Sequence, residues 1–211
     1  MKKFICISNF QDPRSFQAPE YQPADNEKLR LGRGVHYPLI NVINAYSDDG
    51  EDIELITVIP EYDNAKANYE TLIKEVDELA ADKNLKVKKT KCEISYGSGL
   101  DIQLDMFEKL ISCMSDEDKL FCDITYGTKV MSQILTMAVN YGYRVNKDVT
   151  IGCIVYGEVK FENRQITEAK IYDITSLNYL DEIVRMMAEN KVKEPLDRIR
   201  MLLKWGDDDD E

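Results

Sequence analysis

The chain is 211 residues long, 44% of them hydrophobic, and it carries a formal net charge of −12. This size and hydrophobic content predict one domain of the larger α/β kind, with enough apolar side chains for a sizeable core. The acidic balance argues against a protein that binds the backbones of duplex DNA or RNA, which requires a basic face. It leaves a small phosphorylated ligand open, since backbone N–H groups and one or two local cations suffice to hold phosphates.

Sequence signals for several common classes of protein are missing. The chain has no apolar run long enough for a membrane span, and its first ten residues look like a strand rather than a signal peptide. Five cysteines without a CxxC pair, most of them within apolar runs, predict buried thiols in a reducing cytoplasm. His36 is the single histidine, so His-rich metal sites and a His-based catalytic triad have little to build on. We expect neither a metal nor a cofactor.

The first predicted strand covers residues 4–8, a continuous apolar run that ends in the polar residues Ser8 and Asn9. Residues 10–34 follow as a long proline-containing loop, which is typical of a lid, a binding loop or a partner contact, but also of a mobile surface insertion. Arg33 lies near its end with two other basic residues and two glycines. This cluster is a candidate phosphate contact, and a solvated basic loop is the alternative.

The middle of the chain alternates between helix and strand patterns. Apolar residues at three- and four-residue steps predict helices over residues 37–46, 64–81 and 100–114. Residues 53–59 read as a second buried strand, and residues 85–94 as a strand nearer an edge because lysines alternate along it. The loop SYGSG comes directly after that strand, and Tyr96 and Gly97 within it are candidate ligand contacts.

The stretch LFCDITYGTK, residues 120–129, combines a short apolar strand, a turn at Gly127 and the beginning of a helix that continues to residue 141. In an open α/β sheet such a junction lies at the carboxyl edge, where ligands bind. The free N–H groups and the positive end of the helix dipole make it a natural site for an anion. A plain strand-to-helix turn, in which a threonine caps the helix, explains the same residues.

The remaining pattern predicts a strand over residues 149–156, a small hairpin over 157–167, a strand over 170–175 and a helix over 176–188. A last helix over residues 193–205 and the acidic tail DDDDE follow. This alternation predicts an α/β fold, a Rossmann-like, doubly wound and mostly parallel sheet flanked by helices. We expect one domain over residues 1–190, with a C-terminal helix and tail over 191–211. Neither GxGxxG nor GxxxxGK[ST] is present, so NAD, FAD and P-loop nucleotide sites fit poorly.

The string FCDITYGTKVMSQIL, residues 121–135, resembles the strand-turn-helix motif of CARF domains, the CRISPR-associated Rossmann-like sensors, whose form is roughly Asp-φ-Thr-(His/Gly)-Gly-x-(Arg/Lys). Two other strings are also similar to CARF sequences: KKFICIS near the beginning of the chain, and KIYDITSLNYLDEI at residues 170–183. The resemblance therefore covers most of residues 1–188. Tyr126 and Thr128 depart from the usual pattern, as does the long loop over residues 10–34.

This resemblance implies a cytoplasmic homodimer that binds one cyclic oligoadenylate ring, the second messenger of type III CRISPR immunity, across its two-fold axis. The ring would contain four or six adenylates. Carried over to this chain, the resemblance places the ligand against residues of the loops that follow the first strand and residues 120–124: Ser8, Asn9, Phe10, Thr125, Tyr126, Gly127, Thr128 and Lys129. Tyr96 and Tyr126 are candidates for stacking on adenines, with core packing as the alternative for both.

Three functions stay open from the sequence. The first is a ring nuclease, in which a ribose 2′-OH attacks its own phosphodiester without a metal, Lys129 stabilises the developing charge and Ser8 orients the reacting groups. The second is a non-catalytic sensor that controls a fused or separate effector. The third sets the resemblance aside and predicts a generic α/β nucleotide-binding or interaction domain.

Overall fold

The computed structural model describes residues 1–97, 99–196 and 199. The chain divides into two compact units, Met1–Ile174 and a second that begins at Thr175. The predicted acidic tail lies outside the described residues, as does most of the helix predicted over residues 193–205. The predicted domain division after residue 190 stays a prediction.

The first unit is built on one seven-stranded sheet. Its strands are β1 (Lys2–Ile7), β2 (Gln22–Pro23), β3 (Asp52–Pro60), β4 (Lys86–Ile94), β5 (Lys119–Asp123), β6 (Thr150–Glu162) and β7 (Gln165–Asp173). The helices of this unit are α1 (Leu39–Tyr46), α2 (Asp63–Lys83), α3 (Leu100–Ser112) and α4 (Lys129–Val145), with a short 3-10 helix at Glu27–Leu29. The second unit begins with α5 (Thr175–Glu189).

The order of the strands across the sheet is β2-β7-β6-β5-β1-β3-β4. β1 pairs in parallel with β3 and β5, and the pairs β3–β4 and β5–β6 are also parallel, whereas β6 and β7 are antiparallel. Without the two-residue β2, this is the 3-2-1-4-5-6 order of doubly wound Rossmann sheets. The predicted fold class is therefore confirmed, as is the position of β4 at an edge.

The two faces of the sheet bury separate cores, and β1 shows why its apolar run is continuous. Phe4 and Cys6 point into a cluster with the side chains of α1 and α2. Ile5 and Ile7, which alternate with them, point into a second cluster with those of α3 and α4. Because both faces of β1 are covered, the side chains on both of its faces are apolar. In a half-exposed strand, apolar and polar side chains would alternate.

The hairpin after residue 156 differs from the prediction of a small excursion between two strands. β6 and β7 form one long antiparallel ladder that runs from the pair Val155–Asp173 to the pair Glu162–Gln165. Asn163 and Arg164 make the turn with φ of 51° and 65°, the left-handed conformation that two-residue hairpins favour. The part of this ladder next to the turn is mostly exposed to solvent. Its sequence therefore lacks the continuous apolar run by which the buried part was predicted.

Residues 10–34 are not a structureless loop, because three of their apolar side chains enter the core. Phe16, Tyr21 and Leu29 are buried in the cluster on the α1–α2 face of the sheet. Gln22 and Pro23 also pair in parallel with β7 at the edge of the sheet. Within the part of the chain that the structure describes, no helix is both long enough and apolar enough to cross a membrane.

Candidate functional site

The strand order reverses between β1 and β5, and in a sheet of this topology the loops after these two strands flank a crevice at the carboxyl edge. Apart from the two-residue β2 at the far edge, the chain after β1 places β3 and β4 on one side of β1, and then returns to place β5 on its other side. In open α/β sheets ligands bind at this switch point. The loop after β1 contains Ser8, Asn9 and Phe10, and the loop after β5 contains residues 124–128.

The turn after β5 is held by a buried carboxylate. Asp123, at 1% exposure, accepts hydrogen bonds from the backbone N–H of Leu39 at 3.0 Å and of Thr125 at 2.9 Å. Burial raises the pKa of Asp123 to about 6, although its hydrogen bonds from Thr125 and Leu39 oppose the rise. The carboxylate thus ties the end of β5 to the beginning of α1.

Gly127 and Thr128 carry the chain from this turn into α4. Gly127 has φ of +94°, and a Cβ at this position would lie 2.9 Å from Cγ2 of Ile7. The turn therefore lies directly on the end of β1 and requires a glycine. The side chain of Thr128 caps α4 by accepting a hydrogen bond from the N–H of Met131 at 3.2 Å. The capping threonine expected from the sequence is therefore Thr128.

Lys129 is the first residue of α4, and its side chain is exposed. Its ammonium group makes no ion pair or hydrogen bond with any residue of the described ranges. The loop and first turn over residues 124–132 contain no acidic side chain. The free N–H groups of the helix, its dipole and this lysine therefore all favour an anion at the same place.

Ser8 and Asn9 are buried beside this turn rather than exposed on it. Ser8 is 0% exposed, and its hydroxyl donates a hydrogen bond to the carbonyl of Ala65 at 2.6 Å. The backbone N–H of Asn9 donates to the hydroxyl of Tyr37 at 3.2 Å, and its Oδ1 accepts from the N–H of Gln11. The Nδ2 of Asn9 is buried without an acceptor among the described residues, so both of its N–H donors are unsatisfied there.

Tyr126 occupies an aromatic cluster. Its hydroxyl donates to the carbonyl of His36 at 2.7 Å and lies 3.3 Å from the hydroxyl of Tyr21. Its ring makes edge-to-face contacts with Phe16 and Tyr37 at centroid distances of 5.5 and 5.2 Å. Burial raises the pKa of Tyr126 well above its ordinary value. The role that these contacts support is packing, the alternative to adenine stacking noted from the sequence.

Thr125 and Tyr126 also line a groove of about 190 Å³ beside the β6–β7 hairpin. The Oγ1 of Thr125 accepts a hydrogen bond from the N–H of Gly157 at 2.8 Å, which joins the turn to the hairpin. Residues of the 10–34 segment close the other side. The remaining lining residues are Gln11, Phe16, Gln17, Pro19, Tyr21, Val159, Phe161 and Ile166. The groove thus has mostly aromatic and aliphatic walls, with two amide side chains.

A second, exposed aromatic cluster lies on the β3–β4 side of the crevice. Tyr62 and Tyr96 stack with ring centroids 5.2 Å apart and an interplanar angle of 26°. Phe10 touches both of them edge to face, at 5.9 Å in each case. Tyr96 is 57% exposed and Tyr62 is 39% exposed, so both offer ring surface to a planar ligand. Gly97 follows Tyr96, and a Cβ there would meet Cδ1 of Ile102 at 2.6 Å.

The two sides of the crevice differ in charge. Glu61 and Asp63 follow β3, and Asp101 lies in the first turn of α3 after β4. Lys66, in the first turn of α2, is exposed on this side as well. A phosphate is therefore better placed at Lys129, where no carboxylate is nearby in sequence, than beside the tyrosines.

Arg33 lies away from the other predicted site residues. Its guanidinium is 3.7 Å from the carboxylate of Asp82, near the end of α2. His36, three residues further on, pairs with Glu75 of the same helix at 2.8 Å, and Tyr37 donates to the carbonyl of Asn68 at 3.1 Å. Residues 33–37 thus run along α2 toward the crevice, and Arg33 is at the distant end.

Sequence reasoning missed Tyr62 and the groove on the hairpin. Tyr62 comes two residues after β3 ends at Pro60. A search for aromatic side chains in the loops that directly follow predicted strands would have found it, because Tyr96 lies in such a loop. No such signal marked Gly157 or Phe161, because both lie within the β6–β7 ladder.

No protein-family model matches the chain, and no curated protein matches it. The CARF resemblance of residues 121–135 and 170–183 therefore stays a prediction.

Proposed function

We propose that this chain is a ligand-binding sensor that holds a cyclic oligoadenylate ring across a homodimer, with a phosphodiester at the first turn of α4. One observation carries the proposal. Lys129 is exposed and unpaired among the described residues, at the N-terminus of the helix that follows β5, one of the two strands at the switch point. The predicted CARF resemblance supplies the identity of the ligand.

Phosphodiester chemistry suits the α4 end of the crevice. Each phosphodiester carries one negative charge, which both the helix dipole and the lysine ammonium attract. The hydroxyl of Thr128 accepts from Met131, and its own proton is still free to be donated to a phosphate oxygen. A hydrogen bond to a charged group contributes about 1.5–3 kcal/mol, so Lys129 and the helix end together support binding despite the acidic character of the whole chain.

Adenine bases suit the exposed tyrosines. The stacked pair of Tyr62 and Tyr96 presents ring faces at the same edge of the sheet as Lys129. Stacking of a base on an aromatic side chain contributes about 1–3 kcal/mol. A ring of several nucleotides is large enough to place phosphates at one part of the crevice and bases at another, which a mononucleotide does less well.

A homodimer is supported by an apolar surface on α3 and α4. Exposed apolar side chains lie along one side of α4 at helical spacing and continue onto α3, where Phe107 touches Tyr141 edge to face at 5.7 Å. These residues are Val130, Met137, Tyr141 and Val145 of α4, and Leu100 and Leu104 of α3, each at least 40% exposed. Contiguous apolar patches of this kind mark interaction surfaces. Because this stripe begins beside Lys129, a two-fold axis near it would place two Lys129 side chains on one ligand.

Binding is proposed rather than ring cleavage because of the position of Ser8. A residue that orients a reacting hydroxyl must reach the ligand, and Ser8 is 0% exposed with its hydroxyl bonded to Ala65. In the arrangement that the structure describes, Ser8 instead positions the loop after β1 against α2. Control of an effector follows from binding when the ring favours one of two conformations of the dimer.

The test is incubation of the full chain with cyclic tetra- and hexa-adenylate without added metal, followed by filter binding and chromatography of the nucleotides. We expect an intact ring that binds, and a Kd raised about tenfold or more by Lys129→Ala. Lys147→Ala is the matched control, because Lys147 is exposed just beyond the other end of α4, and its Kd should not change. Absence of binding by both rings would overturn the proposal. Linear products that disappear in Lys129→Ala would replace the sensor with a ring nuclease.

A further inference from the structure

Two of the five cysteines lie side by side, although nothing in their sequence spacing marks them as a pair. The Sγ atoms of Cys92, on β4, and Cys113, at the end of α3, are 3.8 Å apart. The other three, Cys6, Cys122 and Cys153, are buried in the sheet. None of the five forms a disulfide within the part of the chain that the structure describes.

We propose that Cys92 and Cys113 form a reversible dithiol–disulfide pair, which a diffusible disulfide such as oxidised glutathione oxidises within one chain. The sulfur atoms must approach from 3.8 Å to about 2.05 Å. Cys92 lies on β4, an edge strand that pairs with a neighbour on one side only, and Cys113 is the C-terminal cap of α3.

Cys113 is the attacking thiol. It is half-buried, whereas Cys92 is 4% exposed. The hydrogen bond with the Cys92 thiol lowers the pKa of Cys113, with smaller contributions from Ser112 and Lys3, against the opposing effects of burial and of Glu54. The pKa of Cys92 is raised, mainly by the same hydrogen bond and also by burial. A thiolate therefore forms preferentially on the sulfur that an oxidant reaches first.

The exchange proceeds in two balanced steps. The Cys113 thiolate attacks one sulfur of oxidised glutathione, and the glutathione S–S bond breaks. One glutathione departs as a thiolate, and the other stays bound to Cys113 as a mixed disulfide. Cys92 then loses its proton to solvent and attacks the Cys113 sulfur, which releases the second glutathione. The net result is one protein disulfide and two reduced glutathione molecules.

The new bond would close the segment between residues 92 and 113, which contains Tyr96 and all of α3. Closing a loop of this size restricts the unfolded chain. We therefore expect the oxidised protein to melt about 5 °C or more above the reduced protein. This inference is independent of the proposed ligand.

The test is incubation of the full chain with oxidised glutathione, alkylation of the remaining thiols, digestion with trypsin and mass spectrometry without reduction. Cleavage after Lys91, Lys109 and Lys119 separates the two cysteines into peptides 92–109 and 110–119, so the disulfide appears as a cross-linked pair that dithiothreitol releases. Cys122→Ser is the control and should form the same pair. Cys92→Ser should stop at a glutathione adduct on Cys113.

A second measurement uses the unmodified chain, so its result does not depend on the folding of a variant. With iodoacetamide under native conditions, Cys113 should react at least about tenfold faster than Cys6 or Cys122, whose pKa values burial raises. The inference is overturned if the folded chain yields no 92–109/110–119 pair, if other cysteines are linked in preference, or if Cys113 reacts no faster than the buried thiols.

Discussion

Gly127→Ala is the substitution that most directly probes how the turn at the site is built. Two separate costs follow from the structure. A Cβ at φ of +94° adopts a conformation that L-residues avoid, and it also lies 2.9 and 3.0 Å from Cγ2 and Cδ1 of Ile7. The strain costs about 1–2 kcal/mol and the crowding of a packed core about 1–3 kcal/mol. We expect the free energy of unfolding to fall by about 2–5 kcal/mol.

Gly50→Ala separates these two costs. Gly50 has φ of +78°, but no atom lies within 4 Å of the position of its Cβ. Its substitution should therefore carry the conformational cost alone, about 1–2 kcal/mol. Urea unfolding of both variants measures the difference, which is the cost of contact with Ile7.

A double-mutant cycle with Ile7→Ala isolates the contact. Removal of Cγ2 and Cδ1 leaves the new Cβ of Gly127→Ala with space, so the double variant should be less destabilised than the sum of the single variants by about 1–2 kcal/mol. Additivity within about 0.5 kcal/mol, or a Gly127→Ala variant no less stable than Gly50→Ala, would refute the close approach of the turn to β1.

Three further predictions concern the same turn and the aromatic cluster. Burial raises the pKa of Asp123 to about 6. The stability that the protonated carboxyl group contributes is therefore fully present below about pH 4, and it is lost as the pH rises through about 6. The loss is about 3 kcal/mol. Urea unfolding at several pH values should show this component in the wild type and not in Asp123→Asn. Thr128→Ala should lower the free energy of unfolding by about 1 kcal/mol, whereas Thr128→Ser keeps the cap; equal stability of the two variants would contradict the cap. Tyr96→Ala should raise the Kd for the ring about tenfold and Tyr96→Phe should not, as measured by filter binding; an unchanged Kd in Tyr96→Ala would exclude stacking there.

The fold was predictable because its buried strands are continuous apolar runs. β1, β3 and β5 lie within the sheet with both faces covered, and this forces nearly every side chain to be apolar. The alternating lysines of β4 indicated its edge position, because charged side chains fit a strand that is partly exposed to solvent. The exposed end of the β6–β7 hairpin has no such constraint, so its length could not be read from the sequence.

The direction of individual side chains at the site was not predictable. Ser8 and Lys129 follow strands that are neighbours in the sheet, yet the hydroxyl of Ser8 turns inward to Ala65 while Lys129 stays exposed. The path of residues 10–34 depends on isolated side chains such as Phe16 and Tyr21, whose burial follows no periodic pattern. Arg33 lies in a short basic stretch of the sequence, and its position beside Asp82 results from tertiary contacts that the sequence does not show.

The most direct test of the proposed function is the stoichiometry of ring binding, measured by isothermal titration calorimetry of the full chain with cyclic tetra- and hexa-adenylate. We predict saturation at one ring for every two chains with at least one ring size, and an affinity about tenfold or more weaker for Lys129→Ala. Saturation at one ring per chain, or no binding of either ring, would contradict a shared site built around Lys129.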